Sequence, residues 1–114
     1  MITLELQPEY FLMVQAGKKK VEGRLKKPKL ETLRVGSIII FKDRGEPNKQ
    51  VHVQVVSLNN YPTFRKMLEN EGVENCLPGL DDMDQAVSLY HSLPGYLEGE
   101  SLFGVLGIGI SLTF

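Results

Sequence analysis

Two hydrophobic periods run along the chain, and together they predict an α+β fold. Pro8 to Ala16 reads as a first helix. Pro8 suits the first helical position, Phe11, Leu12, Val14 and Gln15 give a mixed apolar face, and Gly17 stops it. Lys18 to Leu25 alternates as a strand, with Val21, Gly23 and Leu25 on one face and Lys20, Glu22 and Arg24 on the other. A strand already straight at Lys19 places that residue on the Val21 face. Residues 26–36 read as a loop with a turn of helix around Leu30 to Leu33, ending at Gly36. Ser37 to Lys42 and Gln50 to Leu58 are strands: the first is β-branched and apolar, the second sets Val51, Val53 and Val55 opposite His52 and Gln54. Between them, Asp43 to Lys49 has the Gly, Pro and Asn of a hairpin loop.

After Pro62, Phe64, Met67 and Leu68 form one stripe of a helix over Thr63 to Glu71, stopped by Gly72. Leu77-Pro78-Gly79 is a turn. Asp81 or Asp82 caps a third helix running to about Ser92, with Met83, Ala86, Val87 and Tyr90 as its apolar side, and Pro94-Gly95 breaks it. Phe103 to Leu112 alternates large apolar residues with Gly107, Gly109 and Ser111, so another element is expected close to that glycine face. The expected order is helix, strand, strand, strand, helix, helix, strand. The isoleucine and valine strands should pair antiparallel, with the C-terminal strand in the same sheet.

Composition narrows the class. A chain of 114 residues suits one domain, here 1–114, with one core. Hydrophobic residues at 42% and charged residues at 24% exclude a disordered chain. Cys76 is the one cysteine, so it forms no internal disulfide and is expected as a small buried filler. With two histidines far apart in sequence, no metal site and no cofactor are expected. The N-terminal residues lack the pattern of a secretory leader, and the longest apolar stretch, residues 103–114, is too short to span a membrane. A cytoplasmic protein with no membrane partner is expected.

Charge adds a gradient. Residues 1–66 hold all 13 Lys and Arg against 6 Asp and Glu, whereas residues 67–114 hold 8 Asp and Glu and no Lys or Arg. Eight of the basic residues lie between Lys18 and Arg34. Such asymmetry suits an anionic partner, and equally a solvated basic loop facing an acidic flank of the same domain.

The chemistry concentrates in Gly17-Lys18-Lys19-Lys20-Val21-Glu22-Gly23-Arg24. A Glu among cations is ionised and accepts hydrogen bonds from a base amino group. A planar Arg two residues on holds phosphate or carboxylate with two bonds. The plain alternative is an edge strand protected by its charges. Gly104-Val105-Leu106-Gly107-Ile108-Gly109 has the wrong glycine order for a dinucleotide loop, and neither a phosphate loop of Gly-Lys-Ser/Thr type nor a serine nucleophile elbow is present.

Gly17-x-Lys19-x-x-Glu22-x-Arg24, with Gly36 before the isoleucine strand, Phe64-x-x-Met67-Leu68-x-x-Glu71-Gly72, Leu77-Pro78-Gly79, Tyr90 and Phe103-Gly104-Val105, resembles the ASCH domain, small stand-alone prokaryotic type. That resemblance implies a PUA-like β-barrel with helices covering its ends, a cleft beside the Lys-Glu-Arg strand, and RNA or nucleoside ligands. One bacterial branch of the wider family hydrolyses acetylcytidine with Lys, Thr and Glu. Lys19 matches its lysine, Glu22 stands where it has threonine, and Glu71 or Glu74 corresponds to its glutamate.

The resulting expectation is an RNA- or nucleotide-binding module. Lys19, Glu22, Arg24 and Tyr61 would form the ligand site, with Lys20, Lys26, Lys27 and Lys29 on RNA phosphate. The alternative is an amidohydrolase of a modified nucleoside, with Lys19 and Glu22 catalytic. A third reading, a protein-interaction module, would use the acidic C-terminal face. Catalysis adds a geometric demand: Lys19 and Glu22 must converge, so the strand has to bulge or begin only after Lys19.

Overall fold

A computed structural model describes residues 1–113; Phe114, the end of the apolar run 103–114, lies outside them. Five strands form one curled sheet in the order β1-β3-β4-β5-β2. They are β1 (Ile2–Leu6), β2 (Val21–Leu25), β3 (Ile38–Asp43), β4 (Gln50–Tyr61) and β5 (Val105–Leu112). The helices are α1 (Pro8–Gln15), α2 (Phe64–Glu71), the single turn α3 (Val73–Cys76), α4 (Met83–His91) and α5 (Tyr96–Phe103).

The isoleucine and valine strands pair antiparallel, Ile39 opposite Val53 and Phe41 opposite Val51. β5 runs antiparallel to β4 on one side and to β2 on the other. Its glycines permit close approach: a Cβ on Gly107 would lie 3.1 Å from Tyr61 and 3.3 Å from Met67.

Three elements depart from the sequence reading. The N-terminal residues form β1, parallel to β3, where no strand was expected. One turn of helix, α3, follows Gly72. Phe103, expected to open the last strand, instead ends α5. Helix α5 is masked by Gly99, a poor helix former at a position where the helix meets β2. A Cβ there would come within 2.5 Å of a Leu25 methyl carbon.

The barrel expected from the resemblance is not closed. β1 and β2 are the two edges of the sheet and exchange no ladder of backbone hydrogen bonds. Side chains span the seam instead: Arg24 Nη2 donates to the Glu5 carbonyl at 2.7 Å, and Lys29 Nζ to the Thr3 carbonyl at 3.3 Å.

Two apolar clusters hold the fold. One fills the curl of the sheet, with Leu4, Phe11, Ile39, Phe41, Val53, Val55 and Ile108. The other joins β2 and β5 to the helices through Val21, Leu25, Phe64, Met67, Cys76 and Tyr90. The pleat of β2 serves both. Val21 and Leu25 belong to the helical cluster, whereas Glu22 and Arg24 stand opposite Ile108 and Leu106, residues of the sheet cluster. Among the described residues, no helix is long and apolar enough to cross a membrane.

Candidate functional site

The chain reaches β2 through a tight reversal. Gly17 takes φ 75°, and the backbone N–H groups of both Lys18 and Lys19 donate to the Met13 carbonyl. The strand therefore begins at Val21, past Lys19. Freed from the pleat, Lys19 turns toward Glu22, with Nζ 3.4 Å from Oε1.

Glu22 and its neighbours form a buried ion network. Lys19 Nζ also donates to the Val21 carbonyl at 2.9 Å and to the Cys76 carbonyl. Three acceptors thus face its three donor protons. Arg24 Nε donates to Glu22 Oε2 at 2.6 Å. Glu22 is 6% exposed and Lys19 4%. Burial pushes the Glu22 carboxyl up, but Arg24 and Lys19 outweigh it and hold the group below the ordinary glutamate value. Burial disfavours the charged Arg24 guanidinium, yet Glu22 more than offsets this and the pKa rises. The site is therefore an ionised carboxylate held by two cations. Lys19 Nζ lies 5.6 Å from the centroid of the Tyr10 ring, within cation–π range.

A cavity of about 330 Å³ opens over this network, in the seam between β1 and β2. That volume lies at the lower end of the range for small-ligand pockets, roughly 300 Å³ and above. Glu22, Gly23 and Arg24 line it from β2, Lys19 from the turn before that strand, Glu5 and Leu6 from β1, and Tyr10 from α1; Arg44 and the helical residues Tyr90 and Tyr96 complete its aromatic and cationic parts. Phe64 braces the two helical tyrosines. Its ring stacks on Tyr90 at 4.5 Å and on Tyr96 at 5.5 Å.

Of the residues singled out in the sequence, Lys19, Glu22 and Arg24 come together here. Tyr61 does not line the cavity. Its hydroxyl donates to Glu71 and accepts from Asn70, which ties it to α2. Glu71 also accepts from Asn59, and Glu74 accepts from the Gly79 N–H; neither carboxylate lines the cavity. Lys20, Lys26, Lys27 and Lys29 are exposed and lie outside it. Lys27 sits over the Phe103 ring at 5.8 Å, and Lys20 borders a separate depression with Ser57 and Gly109. Tyr10, Arg44, Tyr90 and Tyr96 line the cavity, and none of them was singled out in the sequence as a site residue. Tyr90 read there as one residue of an apolar helix face; no local signal shows a tyrosine to be a cavity wall.

Cys76 is fully buried, and burial pushes its thiol up to about 12, which makes it a poor nucleophile. His91 pairs with Glu100 at 3.0 Å, and Glu100 also accepts from the Phe64 N–H, joining α4 and α5 to the start of α2. Among the described residues, no group of three or more His, Cys, Asp and Glu is placed to hold a metal ion.

This architecture recurs in solved structures. The crystal structure of hypothetical protein PH0355 superposes with a TM-score of 0.86 at 38% identity, covering 98% of each chain. The solution structure of protein PF0455 from Pyrococcus furiosus gives 0.74 at 32% identity over 98% of this chain and 97% of that one. The ASCH protein of Zymomonas mobilis shares the fold alone, with a TM-score of 0.67 at 13% identity, covering 96% of this chain and 65% of that one. No curated protein matches the sequence significantly. The model of the ASCH domain matches residues 4–114, so all of the curled sheet, helical cover and seam except the first two residues of β1 lies within the match, and the chain belongs to the ASCH domain family.

Proposed function

We propose that the domain binds a nucleoside or one base of an RNA in the seam between β1 and β2. The observation that carries this reading is the Glu22 carboxylate, fixed by Lys19 and Arg24 in a cavity walled by tyrosines. Each carboxylate oxygen has two acceptor positions, and each is engaged by one cation. Lone pairs remain for the amino group of a base. Arg24 uses Nε on Glu22 and one Nη2 proton on Glu5, which leaves guanidinium donors for a carbonyl or a phosphate. Tyr10 and Tyr96 supply faces for a flat ring. Lys29 crosses the same seam at Thr3, so the basic loop borders the site and suits the backbone of a longer RNA.

One observation favours the hydrolase reading: Lys19 and Glu22 meet at 3.4 Å, within reach of a single scissile amide. Two observations weigh against it. Lys19 is saturated by three acceptors. Glu22, held below its ordinary pKa, is a weak base near neutral pH.

A thermal-shift screen with nucleosides, acetylcytidine and short RNAs tests the proposal, since a ligand of the native state raises the melting temperature. Stabilisation that Arg24→Ala removes, with no release of cytidine from acetylcytidine, is the expected result. Turnover of acetylcytidine lost in both Lys19→Ala and Glu22→Gln would replace binding by hydrolysis. Changing Lys26, Lys27 and Lys29 together to Ala should weaken RNA binding and flatten its salt dependence; an unchanged slope would remove the loop from the site.

A further inference from the structure

Six charged residues line the seam cavity, Lys19, Arg24 and Arg44 against Glu5, Glu9 and Glu22. Their signs balance, so net charge selects no ligand; their placement does. Two tyrosines of the cavity register it. Burial raises the pKa of both phenols. Beyond burial, Tyr10 feels Glu9 and Glu22, whereas Tyr96 feels Arg24, Glu22 and Arg44. The Tyr10 end is thus the negative end of the cavity and the Tyr96 end the positive one. Lys19 does not reverse this, because its three donor protons are spent on Glu22 and two carbonyls.

The positive end is built from two directions. Arg24 comes from β2 and donates to the Glu5 carbonyl at 2.7 Å. Arg44 follows β3, held there by its own N–H on the Leu6 carbonyl at 2.8 Å. Its guanidinium faces the same residue, with Nε 3.9 Å from Glu5 Oε1. That contact is at the outer limit of an ion pair, and both side chains are more than half exposed, so water screens it strongly. Among the described residues the Arg44 guanidinium has no other charged partner. The Arg24 side chain is 20% exposed, so its outer edge also reaches solvent. Two guanidinium forks therefore stand at one open end of the cavity, where a ligand can reach both.

We propose that Arg24 and Arg44 form an anion subsite at the Tyr96 end of the seam cavity, which takes a phosphate monoester. This rests on the binding proposed above and deepens it: the ligand is a nucleotide, or the 5′-phosphorylated end of an RNA, rather than a nucleoside. A phosphate monoester carries about −1.5 to −2 charge near neutral pH and three acceptor oxygens, which suits two planar forks. Glu5 is then a competitor. Its carboxylate holds Arg44 loosely in the free protein and yields it to the phosphate.

Calorimetry at low salt tests the subsite, with ribonucleosides, their 5′-monophosphates, inorganic phosphate, and one short RNA with and without a 5′-phosphate. A monophosphate should bind roughly tenfold tighter than its own nucleoside. Arg44→Gln should lower the monophosphate affinity about tenfold and narrow that preference, whereas Glu5→Gln should raise it about two- to fivefold by removing the competitor. Both side chains are exposed enough for the fold to tolerate the change. A preference shared by the 5′-phosphorylated RNA supports the subsite at an RNA end; one confined to mononucleotides supports it for a free nucleotide. Monophosphates that depend on Arg44 but bind no tighter than inorganic phosphate keep the subsite and overturn the base reading beneath it. Monophosphates no tighter than their nucleosides, or a preference that survives Arg44→Gln, overturn the subsite and leave the base reading standing. Binding of none of these probes overturns both.

Discussion

The sheet is held together differently on its two sides. Through β1, β3, β4, β5 and β2 in turn, backbone ladders join each strand to the next, and the enclosed side chains are almost all apolar. Between β1 and β2 the backbone stops, and Arg24 and Lys29 reach across to carbonyls on the far edge. Lys19 and Glu22, two of the three buried charged residues among those described, lie at this seam. The contrast has a simple cause. Backbone pairing satisfies its own polar groups and leaves a dry interior, whereas an unclosed edge leaves polar groups and space that charged side chains can occupy. Where the sheet fails to close, it leaves a cavity lined by charged side chains.

The largest effects should come from breaking either side. Phe41→Ala, within the continuous side, removes a fully buried ring and should cost about 3–5 kcal/mol in urea unfolding. Glu22→Ala, at the seam, should cost a similar amount, about 3–5 kcal/mol, by stranding a buried Lys19. The two losses differ in kind. Adding Lys19→Met to the seam variant should recover part of the stability, because the uncompensated charge is gone. If no recovery follows, the seam is held by packing rather than by charge.

Acid sharpens the comparison. Glu22 has a folded pKa below the ordinary value near 4.5. Its contribution is therefore complete above that value and is lost as pH falls through the folded pKa, because the unfolded chain takes up the proton first. Within that window the slope of stability on pH should be shallower in Glu22→Gln, by up to about 1.4 kcal/mol per pH unit for one proton. Phe41→Ala should keep the full slope. Equal slopes in the two variants would show that its neighbours do not hold Glu22 below the ordinary value.

Arg24→Lys is a smaller change. A lysine at this position keeps a charge near Glu22 but loses the planar reach to the Glu5 carbonyl, and should cost about 1–2 kcal/mol, tempered by the partial exposure of the guanidinium. Faster hydrogen exchange across β1 than across β3 should accompany it. Uniform acceleration would mean that the bridge does not hold the seam. Smallest of all is Tyr61→Phe, which removes two hydrogen bonds to α2 near the surface, with Glu71 and Asn70, and should cost about 0.5–1.5 kcal/mol without changing cytidine affinity. A loss of affinity would return Tyr61 to the site.

Much of the fold was legible because its elements carry local signals. The β3–β4 hairpin has two alternating apolar runs around a Gly-Pro-Asn loop, and α2 has a Thr63 cap and an apolar stripe. Elements without such signals were missed. β1 is five residues long and takes its identity from parallel pairing with a strand more than thirty residues later. Helix α5 carries a glycine that propensity argues against and close packing on Leu25 requires.

The sequence by itself determined the charged segment from Lys19 to Arg24, the side-by-side placement of Glu22 and Arg24 on one pleat face, and the turn at Gly17, since each depends on residues only a few positions apart. Tertiary structure decided the rest. Lys19 meets Glu22 only because the Met13 carbonyl captures two successive N–H groups and delays the strand to Val21. Tyr10, Tyr90 and Tyr96 become walls of one cavity only because α1, α4 and α5 pack around the unpaired edge of β2. Periodicity reports which face of an element is buried, but not which elements meet there. The seam is a relation between the two most distant edges of the sheet, and no local stretch of the chain encodes it.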